Sequence, residues 1–290
     1  ITMSQKNQGI LCIISAAFFF ALMNLFVRLA GDVPTIQKSF FRNFIAALLA
    51  FIMLMRSRSS THLTKENVKD LIMRSIGGTL GILCNFYAID HLNIADASML
   101  NKLSPFFAII FSIFLLKEKT TRFEWSMLII AFAGALFVIK PSFNLNSLPA
   151  LIGVFGGLGA GLAYTYVRRL GTHGIKGPVI VFFFSCFSCI VTLPAILLHY
   201  APMTTQQLIT LILAGCAAAG GQVSITAAYT KAPASEISVF DYSQILFAAL
   251  FGFLFLDQIP DHFSIIGYFI IIGAAIAKWY HSNHKATPAT

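Results

Sequence analysis

The sequence predicts an all-α integral membrane protein with ten transmembrane helices, arranged as two inverted five-helix repeats. First, 57% of the 290 residues are hydrophobic and only 11% are charged, which is a membrane-protein composition. Second, apolar stretches long enough to cross a bilayer follow one another along the whole chain. Third, polar residues inside these stretches recur at a constant offset of 140 positions.

The apolar stretches define the individual spans, because a hydrocarbon core of about 30 Å needs about 20 helical residues. The first stretch, from Gly9 to Val27, is long enough to span, so we interpret it as a helix and not as a cleavable signal. The connections are short and leave no room for a soluble domain. The predicted spans are 9–29, 36–55, 71–90, 94–116, 123–140, 148–168, 178–199, 206–229, 235–256 and 262–280.

The distribution of Lys and Arg predicts the orientation, because cytoplasmic loops carry an excess of both. With the N-terminus in the cytoplasm, 15 of the 20 basic residues fall in inside segments. The largest inside cluster consists of Arg56, Arg58, Lys65, Lys69 and Arg74. We therefore predict a multi-pass protein of the plasma (inner) membrane with both termini cytoplasmic. For the net charge of +9, the placement of the basic residues matters more than their total, and no nucleic-acid partner is expected.

The offset divides the chain into a first repeat at 1–140 and a second repeat at 141–290. The matched polar positions are Asp96 with Glu236, Ser98 with Ser238, Asn101 with Asp241, and Lys117 with Asp257. Because each repeat holds five spans, the second must enter the membrane upside down. Apolar sequences also align by chance, but the shared register of polar positions favours duplication.

A pair of charged residues lies inside two of the matched spans. Lys102 in the fourth span costs roughly 2.5–3.5 kcal/mol to insert, so a function or a partner is expected for it. Ser98, Asn101 and Lys102 share one helical stripe with Pro105. One alternative is that Lys102 and Asp241 form a structural ion pair. The other is that the pair opens to hold a zwitterion, with Lys102 binding its carboxylate and Asp241 its amine. Asp241 could alternatively take up a proton.

Further polar residues inside the spans are candidate substrate contacts. Arg42 either reaches to the outer headgroups or grips a carboxylate or phosphate with two hydrogen bonds. For the amide side chains, hydrogen bonding between helices is the alternative. The remaining candidates are Asn24, Asn85, Gln222, Ser238, Tyr242 and Gln244.

Small residues and proline indicate where helices pack closely or bend. We predict a kink at Pro105, whereas Ile245 stands where that proline would repeat, so the two halves need not bend alike. The glycines allow close packing and also sliding, and both roles stay open for them. The packing or hinge candidates, besides the proline, are Gly157, Gly161, Gly220 and Gly221.

Ten spans in two halves, a central proline in the fourth span and the LLKEKTT sequence after it resemble the EamA-type transporters of the drug/metabolite transporter superfamily. The resemblance covers nearly the whole chain. It implies a small-molecule carrier whose cavity lies between the halves, lined mainly by helices one, three, four, six, eight and nine.

The predicted function is secondary transport of small polar metabolites by alternating access, with amino acids or related zwitterions and organic anions as first candidates. A lipid or polyisoprenoid-carrier flippase is the alternative. An intramembrane enzyme is disfavoured, because the sequence has no catalytic motif and no clustered metal ligands. We therefore expect no catalytic residues, no metal and no cofactor. The expected partners are the substrate and the bilayer, and homodimer formation stays open.

Overall fold

The structure, a computed structural model, describes residues 4–56, 63–91, 94–141, 147–257 and 259–284. Within these ranges the regular secondary structure is helical, with twelve α-helices and one 3₁₀ turn at Ser238–Tyr242. The α-helices are α1 Gln5–Leu29, α2 Thr35–Arg56, α3 Lys65–His91, α4 Ile94–Asn101, α5 Ser104–Leu116, α6 Arg122–Ile139, α7 Ser147–Thr172, α8 Gly177–Leu198, α9 Thr205–Lys231, α10 Ala234–Ile237, α11 Ser243–Leu256 and α12 His262–His284.

The described helices have the length and composition of membrane spans. Nine segments of the described chain qualify, and they comprise α1, α2, α4 with α5, α6, α7, α8, α9, α10 with α11, and α12. Large apolar side chains cover the outer surface, including Phe114 at 76% and Leu198 at 77% exposure. Such a surface is stable against lipid and not against water. The chain is therefore an all-α, multi-pass membrane protein.

The helix α3 is 27 residues long and has strongly polar first turns, and it is not one of the nine segments. It begins at Lys65, six residues before the predicted span at 71–90. Arg74, which the sequence counts among the cytoplasmic basic residues although it lies within the predicted span, is in the third turn of α3 and only 2% exposed.

The fourth and ninth spans are interrupted helices and not continuous ones. The fourth breaks between α4 and α5, at Lys102 and Leu103. Pro105 lies in the first turn of α5, where the missing N–H removes no helical hydrogen bond. The predicted kink at Pro105 is thus the start of a new helix. The ninth span is interrupted by the 3₁₀ turn although Ile245 replaces the proline, so the two halves break at corresponding positions.

Contacts at the two ends of the bundle define the direction of the helices. At one end Lys278 Nζ of α12 lies 2.8 Å from Glu124 Oε1 of α6, and at the other end Lys140 pairs with Asp261. The Lys140 ammonium, by its hydrogen bond, lowers the pKa of the Asp261 carboxyl below its usual range. The helices α6 and α12 therefore run antiparallel. Lys6 Nζ donates to the carbonyl of Ser282 at 2.9 Å, so α1 begins where α12 ends.

The helices pack in pairs that connect the two halves of the sequence. Among these contacts, α1 packs on α9, α3 on α7, and α2 on α8. The glycines of α7 make room for the interrupted fourth span. A Cβ at Gly157 would lie 2.8 Å from the carbonyl oxygen of Leu100, and one at Gly161 would lie 2.5 Å from Phe107 Cβ. Gly220 and Gly221 similarly accommodate the rings of two phenylalanines of α1.

Candidate functional site

The two helix interruptions meet at an ion pair inside the bundle. Lys102 Nζ lies 3.1 Å from Asp241 Oδ2 and donates to Gln244 Oε1 at 2.7 Å. The Tyr242 hydroxyl donates to the carbonyl oxygen of Lys102 at 3.0 Å. Lys102 and Asp241 thus come together with two further candidate residues from the sequence.

The interruptions explain how charge is held at this depth. A carbonyl at a helix break loses its partner in the next turn and must be satisfied by another donor, here the Tyr242 hydroxyl. The side chains of Lys102 and Asp241 are only 11% and 15% exposed, so water solvates the pair poorly. A pair in such surroundings stabilises little in net terms, but the loss of either partner costs about 3–5 kcal/mol.

The other candidate substrate contacts in these two spans are close to Lys102 and Asp241 in the sequence. Ser98 and Asn101 are half-buried on α4, and Ser238 is fully buried at the start of the 3₁₀ turn. The polar stripe of the fourth span therefore lies partly in the protein interior.

The remaining candidates occupy other parts of the bundle. Gln222 accepts a hydrogen bond from Arg74 and does not contact the Lys102–Asp241 pair. Asn85 is half-buried on α3, where its backbone nitrogen would lie 3.0 Å from a Cβ at Gly156. Asn24 is exposed on α1.

Sequence reasoning missed three residues of the polar interior. Arg74 lay at the border of the predicted span, where its burial has no local signature. Tyr164 and Tyr229 stack on one another with ring centroids 4.9 Å apart and an interplanar angle of 12°. Tyrosines in apolar stretches give no sequence signal of such a role, because most of them serve packing.

A second group of charges ties the helix ends together on the side where α1 begins. Arg168 Nε lies 2.9 Å from Glu118 Oε1, and its Nη1 donates to the Thr230 carbonyl at 3.2 Å. Lys6 Nζ lies 3.9 Å from Glu236 Oε2. Further pairs of this network are Lys278 with Glu124, and Arg169 with Glu66 and Asp70. We call this set the end network.

An apolar groove of about 450 Å³ lies between α11 and α12. Its lining includes Leu250, Phe253, Tyr268 and Ile272, and it carries no charged side chain. Polar cargo has no partner there, so the groove and the ion pair are separate features. The chemistry at the ion pair is the better guide to a site for a polar molecule.

The helices of the described chain, their apolar exterior and the ion pair between two interrupted spans define a multi-pass membrane protein with a polar interior. Residues 7–140 and 148–277 each match the EamA-like transporter family. The chain therefore belongs to the EamA-like transporter family of the drug/metabolite transporter type. The resemblance noted from the sequence is confirmed.

Individual relatives support this membership. The chain is 34% identical to the pseudopaline exporter CntI of Pseudomonas aeruginosa, over 93% of this chain and 95% of that protein. It is 25% identical to solute carrier family 35 member G1 of Homo sapiens, over 95% of this chain and 80% of that protein. A solved crystal structure with 15% identity matches at a TM-score of 0.85 and covers 97% of this chain and 99% of its own, which shows the fold alone.

Proposed function

We propose that this EamA-family transporter carries small polar metabolites, namely amino acids or related zwitterions and organic anions, as a secondary transporter. The observation that carries the proposal is the contact between Lys102 and Asp241, 3.1 Å apart at the two helix interruptions. A cation and a carboxylate side by side offer partners for the carboxylate and the amine of one zwitterion. Interrupted helices are also where carriers commonly bind cargo, because the breaks free polar backbone groups.

The architecture we propose is ten spans in two halves, 1–140 and 141–290, with inverted topology and α3 as the tenth span. The helices α3 and α9 begin and end 140 positions apart, and each has 27 residues. The left-handed residues Lys117 and Asp257, which follow α5 and α11, have the same offset. The antiparallel course of α6 and α12, which are matched helices, supports the inversion. An even number of spans also fits with α1 beginning where α12 ends.

Alternating access follows from this symmetry in the proposed mechanism. The contacts of α1 with α9 and of α3 with α7 exchange with one another when the halves are exchanged. Two equivalent arrangements of the halves are therefore available to the same sequence. The end network closes one side, and its ion pairs must break for cargo to leave there. We infer that this basic end, with both termini, faces the cytoplasm of a cell whose plasma membrane holds the protein.

The relative from Pseudomonas aeruginosa is an exporter, so we infer export as the first direction to test. Cargo that binds between Lys102 and Asp241 replaces their mutual ion pair with its own charges. The protein thereby exchanges one set of charge contacts for another, so that each step costs little desolvation energy for a charged group. No catalytic step is required, and we infer that the protein is not an enzyme.

A lipid flippase is the second candidate, and the apolar groove between α11 and α12 favours it. A groove of about 450 Å³ with lining such as Leu250 and Phe253 suits an acyl chain. The interior ion pair argues against this candidate, because an acyl chain that passes Lys102 and Asp241 gains nothing from them.

Transport by the purified protein in liposomes tests the proposal. The assay uses labelled amino acids, organic anions, organic cations and a fluorescent phospholipid, with the wild type and the variants Lys102→Gln and Asp241→Asn. Arg56→Gln is the matched control, because Arg56 is exposed at the end of α2. We expect amino-acid or organic-anion transport that both interior variants abolish and the control retains. Phospholipid movement alone, or wild-type transport by both interior variants, would refute the proposal.

A further inference from the structure

Two arginines lie inside the bundle at similar depths from its opposite ends. Arg42 is the eighth residue of α2, and Arg74 is the tenth residue of α3. At a rise of 1.5 Å per residue, they lie about 10 Å and about 14 Å from the starts of their helices. Because α2 and α3 are successive helices that begin at opposite ends, the half-buried Arg42 and the buried Arg74 lie at comparable depths from opposite sides of the bundle.

Neither arginine has an acidic partner among the described residues, whose ion pairs within 4 Å involve other basic groups. Arg74 is 2% exposed and donates to Gln222 Oε1 at 3.2 Å, while its Cζ lies 3.9 Å from the ring centroid of Phe184. The Nε atoms of Arg42 and Arg74 are both buried without a hydrogen-bond partner. A buried cation of this kind normally has a counter-charge, since desolvation is costly.

The two arginines lie near neighbouring turns of α8. Asn43, next to Arg42 in the chain, donates to Ser188 Oγ at 2.8 Å, and Arg74 Cζ lies over the ring of Phe184, four residues before Ser188.

Asp70, one turn before Arg74 on α3, is buried but pairs with Arg169 at 3.1 Å. Among the side chains that the structure describes, neither Arg42 nor Arg74 has a carboxylate within 4 Å, so a bound anion would neutralise charge here.

The surroundings of Arg74 hold the guanidinium in place and leave part of it unpaired. A Cβ at Gly78 would lie 2.2 Å from Arg74 Nη1, so Gly78 leaves the guanidinium the space that it occupies in this arrangement. Phe184 covers one face of the guanidinium, and Gln222 binds one edge. The Nε edge is the part left for a ligand, and a guanidinium binds an oxyanion with two parallel hydrogen bonds.

We propose that Arg42 and Arg74 form an anion subsite, which makes solutes with more oxyanion groups than amines the preferred cargo. The inference rests on the proposed transport of polar metabolites and specifies their charge. In this arrangement Lys102 and Asp241 bind the zwitterionic part of the cargo, and the arginines bind its additional carboxylate or phosphate. A carboxylate and a phosphate both bind a guanidinium in this way, and the experiment distinguishes between them.

Three matched pairs of solutes test the subsite in liposomes: glutamate with glutamine, aspartate with asparagine, and O-phosphoserine with serine. We expect the wild type to transport the anionic member of at least one pair with at least a tenfold higher kcat/KM. Arg42→Gln and Arg74→Gln should each lower that ratio about tenfold, the loss expected for one charge-assisted hydrogen bond, while the neutral member is carried within threefold of wild type. Arg56→Gln, at an exposed position, should leave the ratio unchanged.

The outcomes separate this inference from the proposed function. Transport of the neutral members at equal or higher kcat/KM overturns the anion subsite and leaves the polar-metabolite carrier in place. Transport of no member of any pair, with phospholipid movement instead, overturns both. If Arg74→Gln does not fold, the melting temperature of the wild type is measured instead, with each member of a solute pair added in turn. We expect a larger increase with an anionic member than with its neutral partner, and equal or absent increases overturn the subsite.

Discussion

Removal of the charges at Lys102 and Asp241, one at a time and together, distinguishes a structural ion pair from a cargo site. Lys102→Met leaves Asp241 as a carboxylate that is only 15% exposed, and Asp241→Asn leaves an ammonium that is 11% exposed. Either unpaired group costs about 3–5 kcal/mol. The double variant contains no interior charge at this point, so most of that loss should disappear.

The magnitude of the coupling follows from the geometry of the pair. Two unit charges near 4 Å interact by about 4 kcal/mol at an effective dielectric constant of 20, and desolvation offsets part of this energy. For a separation of 3.1 Å in poorly solvated surroundings, we expect a coupling free energy of about 2–4 kcal/mol. The single variants should therefore melt well below wild type in detergent, and the double variant close to it.

Transport by the same four proteins completes the test. If the pair binds cargo, the double variant regains stability but carries none of the solutes that the wild type carries. Recovery of transport together with stability would mean that the pair only joins α4–α5 to the 3₁₀ turn and α11. That result would refute our interpretation of the site, although the geometry would stand.

The remaining predictions concern packing, the end network and the helix break. Gly161→Ala should lower stability by about 1–3 kcal/mol, measured by thermal melting, because a Cβ there meets a side chain of α5 at 2.5 Å. Glu118→Gln should speed hydrogen exchange at the end of α7, because Arg168 loses its carboxylate at 2.9 Å. Pro105→Ala should keep transport within threefold of wild type, because the second half breaks its helix without proline.

Each of these predictions has a contrasting result. A Cβ at Gly273 would have no neighbouring atom within 4 Å, so Gly273→Ala is the neutral control, and equal melting of the two alanine variants would contradict the packing argument. Unchanged exchange in Glu118→Gln would mean that the end network does not hold α7. Abolished transport in Pro105→Ala would show that the first half depends on its proline to form the break.

The sequence predicts the membrane fold, and singles out Lys102 and Asp241, because both inferences depend on local signals. Long apolar stretches define the spans. A charged residue inside a span has such a high free energy of insertion that a function or a partner is expected for it. The constant offset then brings the two charged spans into correspondence. The structure joins these residues at 3.1 Å, which is the ion-pair alternative that the sequence left open.

The burial of Arg74 could not be predicted, because it depends on where a helix leaves the hydrocarbon and on which neighbours cover it. Its environment consists of Gly78, Phe184 and Gln222, and the latter two are more than 100 positions away in the chain. The helix breaks were equally hidden. In the fourth span Pro105 suggested a bend, but the 3₁₀ turn in the ninth span has no proline to mark it.

A structure with a bound amino acid tests the central claim most directly. The account predicts that cargo lies between Lys102 Nζ and Asp241 Oδ2, with its carboxylate toward the lysine and its amine toward the aspartate. The two side-chain atoms should then lie farther apart than the 3.1 Å of their direct ion pair. Cargo bound elsewhere in the bundle, with this ion pair intact, would contradict the account.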